Sequence, residues 1–248
     1  MKLSGRTVLV TGGTNGIGLG IAEAFYERGS RVIVCGRDKR RLSTVEDKYP
    51  GITALPCDVG DGLQRKDLAA EVIRRFPDLD ILVNNAGIQR YVDLKKGHDG
   101  LKSGEDEIAI NFVSVVELTA LFIGLLMSRQ SAAVINVSSG LAFMPMVHAP
   151  IYSATKAAIH AYTLVLRQQL RDTSVRVIEI VPSMVDTGLN KAGRDAHLKF
   201  RGIGLPEYIP TVIRGLENDV EMIFHGDGAK ILSEPRGESE GRLLKPSW

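Results

Sequence analysis

The sequence predicts an α/β fold, a single domain built on a doubly wound parallel sheet of about seven strands with helices on both faces. Three observations predict it. Short runs of consecutive apolar residues alternate with segments whose apolar residues recur at helical spacing, and strands that are apolar throughout belong to parallel sheets covered on both sides. A glycine cluster sits directly between the first such run and the first helical segment. The alternation continues without a linker or composition break as far as Pro182, and 248 residues, 44% of them hydrophobic, suffice for one large domain.

In order, Val8-Leu9-Val10, inside Arg6 to Thr11, form the first strand, and Ile17, Ile21, Ala24 and Phe25 mark one face of a helix from Ile17 to Arg28. Arg31 to Cys35 is the second strand, followed by a charged helix from Asp38 to Tyr49. Ile52 to Cys57 is the third, followed by a helix through Arg75. The fourth, Asp80 to Asn84, leads through a loop to a long helix from Gly104 to Met127. Ala132 to Val137 is the fifth, Tyr152 to Arg171 the next helix, and Val175 to Val181 the sixth strand. Crossovers between parallel strands are right-handed, which distributes the helices over both faces. Beyond Pro182 the rhythm changes: Met184 to Leu205 has no clear period and contains Gly188, Gly193, Gly202 and Gly204. Pro206 to Asn218 then reads as a helix and Glu221 to Phe224 as a final strand, so residues 184–218 form a loop and a helical segment. The segment Ser233 to Trp248, with Gly237, Gly241 and Pro246 among charges, reads as a weakly ordered tail.

The formal charge, 31 − 29 = +2, offers no electrostatic case for a nucleic-acid partner. Cys35 and Cys57 lie in strand-like runs as small buried hydrophobes, and neither suggests a disulfide framework or a metal site. His98, His148, His160, His197 and His225 lack ligand spacing, so no metal is expected. His160 is expected to pack or to face a neighbouring subunit. The N-terminus enters a strand with no apolar leader, and the stretch Ala120 to Met127 falls short of the roughly 20 residues that span a bilayer, so a cytoplasmic protein without membrane contact is expected.

The turn Thr11-Gly12-Gly13-Thr14-Asn15-Gly16-Ile17-Gly18 lets backbone N–H groups approach a pyrophosphate at a helix N-terminus, with spacing G-x-x-x-G-x-G rather than G-x-G-x-x-G. After the second strand, Gly36 offers no carboxylate for a ribose 2′-hydroxyl, whereas Arg37 offers a guanidinium suited to a 2′-phosphate. NADP is favoured over NAD, with Asp38 readable as a helix N-cap. Lys39-Arg40-Arg41 and Arg74-Arg75 read as solvated helix faces. Tyr152 and Lys156 fall four apart on a helix, on one face, and a nearby ammonium draws a phenol down from its usual pKa of about 10. Spacing alone fits ordinary packing as well as proton transfer.

Together, the glycine turn, Asn84-Asn85-Ala86-Gly87, Ser138-Ser139, and Tyr152 with Lys156 resemble, in order over residues 6 to about 187, the motifs of the short-chain dehydrogenase/reductase family. The runs Ala157 to Thr163 and Val177 to Pro182 are most similar to its DltE-like oxidoreductase branch. The resemblance implies a Rossmann-type fold and a catalytic tetrad of Asn111, Ser139, Tyr152 and Lys156. Ser139 precedes Tyr152 by thirteen residues, the family spacing, which selects it over Ser138. It implies cofactor contacts from Gly12, Thr14, Asn15, Gly16, Ile17, Gly18 and Arg37, from Asp58 and Val59 at the adenine, and from Asn85, Ala86 and Gly87 at the ribose. Tyr152, Lys156, Pro182 and Thr187 complete them at the nicotinamide end. Ser183 stands where the family usually has glycine.

The function expected is hydride transfer between NADP(H), with NAD possible, and the carbonyl or alcohol of a small organic substrate. Alternatives are a redox-linked isomerase or epimerase and a non-catalytic nucleotide sensor. Leu189, His197, Leu198 and Phe200, Gln89 to Tyr91, and Leu141 to His148 are expected to wall the substrate pocket, with Arg90 and Arg201 as surface charges or selectors of an acidic substrate. A homodimer or homotetramer is implied, with Leu118 to Met127 and the Tyr152 helix as core or subunit contact.

Overall fold

In a computed structural model the structure describes residues 1–101, 104–189 and 202–225. Seven parallel strands form one sheet: β1 (Thr7–Thr11), β2 (Arg31–Gly36), β3 (Ile52–Pro56), β4 (Ile81–Asn84), β5 (Ala132–Val137), β6 (Val175–Val181) and β7 (Met222–Phe224). Their order is β3-β2-β1-β4-β5-β6-β7, so the chain reverses direction across the sheet between β1 and β4. Each strand alternates its side chains between two cores. Val8 and Val10 face one core with Phe25 and Leu216, between the sheet and α1 (Gly16–Glu27), α2 (Lys39–Lys48) and the helix Leu205–Glu217. Leu9 faces the other with Phe122 and Leu166, beneath α3 (Gly62–Arg75) and the helices Ser114–Met127 and Pro150–Gln169.

Local chemistry sets several boundaries. The Asp38 carboxylate accepts hydrogen bonds from Arg40 N (3.0 Å) and Arg41 N (3.2 Å), capping α2, and Asp61 caps α3 through Leu63 N (2.8 Å) and Gln64 N (3.3 Å). Pro150, lacking an N–H, starts the Tyr152 helix two residues before its expected beginning.

The long helix expected from Gly104 to Met127 is not uniform. After a short helix α4 (His98–Leu101), it begins as α5 (Glu105–Ile108), widens into a π segment over Ala109–Val113, and continues as α6 (Ser114–Met127). The π segment contains Asn111, and its extra residue per turn is a feature that concentrates at functional sites. By length and composition the run His98–Met127 is apolar enough to cross a bilayer, which the shorter stretch read from the sequence was not. In this fold Leu118, Phe122 and Leu126 of α6 are buried in the core beside α3. The remaining helices are α7 (Pro150–Gln169) and α8 (Leu205–Glu217). Four of the named wall and selector residues, His197, Leu198, Phe200 and Arg201, and the segment Ser233 to Trp248 lie outside the described residues.

Candidate active site

At the carboxyl ends of the strands, where the order reverses between β1 and β4, the sheet opens into a cleft of about 980 Å³. One end is the turn after β1. Gly12 holds a left-handed backbone (φ +63°), and a Cβ there would lie 2.9 Å from Ala86 Cα. A Cβ on Gly18 would lie 2.3 Å from Asn85 Nδ2 and 2.5 Å from Gly12 O, so only glycine lets the turn and the β4 loop meet. Asn85 and Ala86 complete that junction: both backbone N–H groups donate to Thr11 Oγ1 at 3.0 Å, and Asn85 Nδ2 donates to Thr11 O at 2.9 Å. Behind it, α1 starts without a capping bond from the Asn15 side chain and without an acidic residue in its first turn. Its free N–H groups and positive end are therefore left for an anion, and the cradle fits a dinucleotide pyrophosphate.

Gly12, Thr14, Asn15, Gly16 and Ile17 line this end of the cleft, and Gly18 supports it from behind. Arg37, Asp58 and Val59 line it further out, with Arg37 Nη1 3.7 Å from Asp58 Oδ2. Lys39, Arg40 and Arg41 are exposed, as expected of a solvated face, and Arg41 also reaches the rim of the cleft. Thr187 returns over the turn, since a Cβ on Gly16 would touch it at 3.4 Å, and Pro182 O accepts from Gly140 N at 2.8 Å.

The other end holds the candidate reacting groups. Tyr152 and Lys156 project from one face of α7, and both are buried yet border the cleft. Ser138 donates back to Ile180 O at 3.4 Å, within the sheet, whereas Ser139 borders the cleft beside Tyr152 and accepts from Leu141 N at 3.1 Å. Asn111 is wholly buried: Oδ1 accepts from Ile88 N and Nδ2 donates to Ile88 O, each at 2.8 Å, and Nδ2 also donates to Thr155 Oγ1 at 3.3 Å. The π segment thereby clamps the loop after β4. Gly87 sits between Asn111 and Lys156, since a Cβ there would be 3.3 Å from Asn111 Oδ1 and 3.6 Å from Lys156 Nζ.

The electrostatics differ from the expectation that Lys156 lowers the phenol. Burial pushes Tyr152 up to about 12, the Ser139 hydroxyl draws it down, and the Glu107 field adds to the rise. Burial lowers Lys156 to about 8, and the Glu179 carboxylate opposes that. Lys156 Nζ donates to Val137 O at 2.8 Å and lies 5.6 Å from the centre of the Tyr152 ring, so here it is anchored to the sheet and desolvation governs both groups.

Glu107, Glu179 and Phe224 are site neighbours that the sequence reading does not single out. Glu107, wholly buried, accepts from Arg90 N at 2.9 Å and is pushed by burial up to about 7. Nothing in the sequence marks it, because it follows two other acidic residues on a helix. Glu179, also wholly buried, meets His160 Nδ1 at 2.9 Å. Its signal was present: a charge in the middle of an apolar strand. Phe224 and His225 border the cleft with Met144, Met146, Met184 and Leu189. Gln89, Arg90 and Tyr91 do so as expected, and Arg90 Nη2 pairs with Asp106 at 3.2 Å. Among the described residues, no three His, Cys, Asp or Glu side chains cluster as a metal site requires.

An anion cradle beside a buried phenol, with a serine on the same cleft, joins dinucleotide binding to proton transfer, and the class so defined is the NAD(P)-dependent oxidoreductases acting on CH–OH and C=O groups. The family model described as short chain dehydrogenase matches residues 6–197, and the chain belongs to that family. It is similar to the "Uncharacterized oxidoreductase DltE" of Bacillus subtilis (strain 168), with 48% identity over 90% of this chain and 89% of that protein, in line with the branch expected from the sequence. Among solved structures it resembles a short chain dehydrogenase from Burkholderia cenocepacia J2315 in complex with NADP, with 29% identity, 99% and 100% of the two chains covered, and a TM-score of 0.85. A family member from Burkholderia phymatum in complex with NAD, 19% identical with 100% and 98% covered and a TM-score of 0.84, shares the fold.

Proposed function

We propose that the protein transfers a hydride between NADP(H) and a carbonyl or alcohol carbon of a small organic substrate. The observation that carries this reading is the Tyr152 phenol, buried at the cleft that Ser139 also lines, with Lys156 one helical turn away. The nicotinamide, when bound, supplies or accepts the hydride. In the reducing direction Ser139 and Tyr152 donate hydrogen bonds to the carbonyl oxygen, and Tyr152 passes its proton to the oxygen as charge develops there. A phenol held at about 12 is protonated at neutral pH, the form this step needs. Lys156 would hold the ribose, and the phenolate left on Tyr152 would regain its proton through Lys156 from the Asn111 side, where the clamp on Ile88 fixes the pocket.

NADP is preferred to NAD. Asp38, the nearest carboxylate after β2, also borders the cleft, but its Oδ1 caps α2 and its Oδ2 lies 3.4 Å from Arg41 Nε, while Arg37 and Arg41 bring two guanidinium groups to the same end. The relative from Burkholderia cenocepacia, solved with NADP, supports this choice. The enzyme acts in the cytoplasm as a homodimer or homotetramer, joined through the apolar face where Ile108, Val113, Leu164 and Val165 are exposed.

A spectrophotometric screen of ketones, aldehydes and quinones tests the reading. NADPH consumption with at least one class, and weaker consumption of NADH, is expected. Conversion of a substrate with no net cofactor oxidation would identify an isomerase instead, and cofactor binding without turnover of any compound would identify a sensor.

A further inference from the structure

Beneath α6 and α7 the sheet carries a row of buried polar side chains. Asn84, Asn136 and Glu179 are register partners across β4, β5 and β6. Asn84 Nδ2 donates to Asn136 Oδ1 at 2.9 Å and to Thr119 Oγ1 at 3.2 Å, and Asn136 Nδ2 donates to Thr163 Oγ1 at 3.0 Å. Glu179 ends the row. Its Oε2 meets His160 Nδ1, while its buried Oε1 has no hydrogen-bond partner among the described residues. A carboxylate so placed is costly to bury unless positive charge answers it.

The answering charge is one turn away. Tyr152, Lys156 and His160 succeed one another at four-residue intervals and share a face of α7. Val137, whose carbonyl holds Lys156 Nζ, directly follows Asn136, the register partner of Glu179, so ammonium and carboxylate stand over adjacent strands. The far edge of His160 packs on Phe143 at 4.5 Å between ring centres, which fixes the imidazole against Glu179.

We propose that Glu179, steered by His160, is a positioning residue for the reaction: its carboxylate keeps the buried Lys156 an ammonium at the pH where the enzyme works. The proposal rests on the hydride-transfer reading. Among the described residues, the groups facing Lys156 are few. Its own helix contributes Tyr152 and His160, and β6 contributes Glu179. α5 contributes Glu107, whose field acts on Tyr152. β5 has no titratable side chain, and beyond β7 His225 turns to Glu207 (3.4 Å) and Thr211 (3.2 Å). Removing the Glu179 charge therefore leaves burial unopposed, and Lys156 loses its proton at lower pH.

The test follows Lys156 directly, by NMR of protein labelled with ¹³Cε-lysine, its resonance assigned with Lys156→Met. This readout needs no substrate. Glu179→Gln keeps the volume and an acceptor for His160, and the Lys156 midpoint should fall by about one pH unit or more. The alkaline limb of NADPH-dependent carbonyl reduction should move down with it, leaving turnover at pH 6 within about twofold of the parent. Glu179→Asp, which keeps the charge on a shorter stem, should move both by less, and it decides the question if the Gln variant does not fold. An unmoved Lys156 midpoint in the folded variants, or an equal loss of turnover at every pH, would overturn the proposal. If the parent protein reduces no carbonyl compound, the hydride-transfer reading fails, while the NMR midpoints still decide what Glu179 does to Lys156.

Discussion

Replacing Arg37 with alanine separates the two nicotinamide cofactors. The guanidinium borders the outer end of the cleft, where the proposed binding mode would put the 2′-phosphate, the only group distinguishing NADPH from NADH. A charge-assisted hydrogen bond contributes about 1.5–3 kcal/mol, or about 10- to 150-fold in affinity at 1.4 kcal/mol per tenfold. Arg37 is 55% exposed, so solvent screening places the effect at the lower end, about 10- to 30-fold. Dissociation constants for both cofactors, measured by nucleotide fluorescence at one fixed ionic strength, check it. NADPH affinity should fall by that factor, and NADH affinity should change by less than about twofold. The loss should shrink as salt rises, because the phosphate attraction is screened. An additional Arg41→Ala change should deepen the NADPH loss alone. Equal losses for the two cofactors would show that Arg37 shapes the pocket without contacting the phosphate, and unchanged NADPH affinity would refute the assignment outright.

Two further outcomes follow from the geometry. Gly18→Ala places a methyl group 2.3 Å from Asn85 Nδ2 and 2.5 Å from Gly12 O, so stability should drop by about 1–3 kcal/mol in denaturant melts and cofactor binding should weaken with it. Unaltered binding and stability would mean that the turn and the β4 loop are not in this contact. Glu107 is raised by burial from its ordinary 4.5 to about 7, so between those values the folded chain holds a proton that the unfolded chain has released. Stability should therefore fall as pH rises through that window, by roughly 3 kcal/mol at most, and level off above it. Glu107→Gln should flatten this profile, matching the parent near pH 5 and exceeding it near pH 8; parallel profiles would contradict the assignment.

The strands were legible because a sheet covered on both faces needs continuous apolar runs, and Val8-Leu9-Val10 or Val134-Ile135 carry no competing pattern. The glycine turn was legible for a related reason, since contact with Asn85 and Ala86 leaves no room for a Cβ. The π segment was not. Ala109–Val113 has the apolar spacing of an ordinary helix, and what widens it is a tertiary demand, the Asn111 clamp on Ile88. Arg41 is exposed as the charge run implies, and its second place at the cleft rim was not legible because a helix face open to a cleft and one open to solvent read alike in sequence. The Tyr152 and Lys156 spacing was read correctly as one face, yet spacing carries no information about burial, which dominates both groups. Glu179 was overlooked when β6 was read for apolar continuity, although its charge interrupts that strand.

The central claim is that Tyr152 supplies the proton to an oxygen whose carbon receives a hydride. Reduction of a carbonyl compound with NADPH deuterated at the transferring C4 position, followed by mass spectrometry of the product, measures this most directly. One deuterium should appear on the product carbon with the parent protein, and Tyr152→Phe should bind NADPH with unchanged affinity while forming almost no product. Deuterium retained by the cofactor or lost to solvent, or product formed at the parent rate by Tyr152→Phe, would contradict the account.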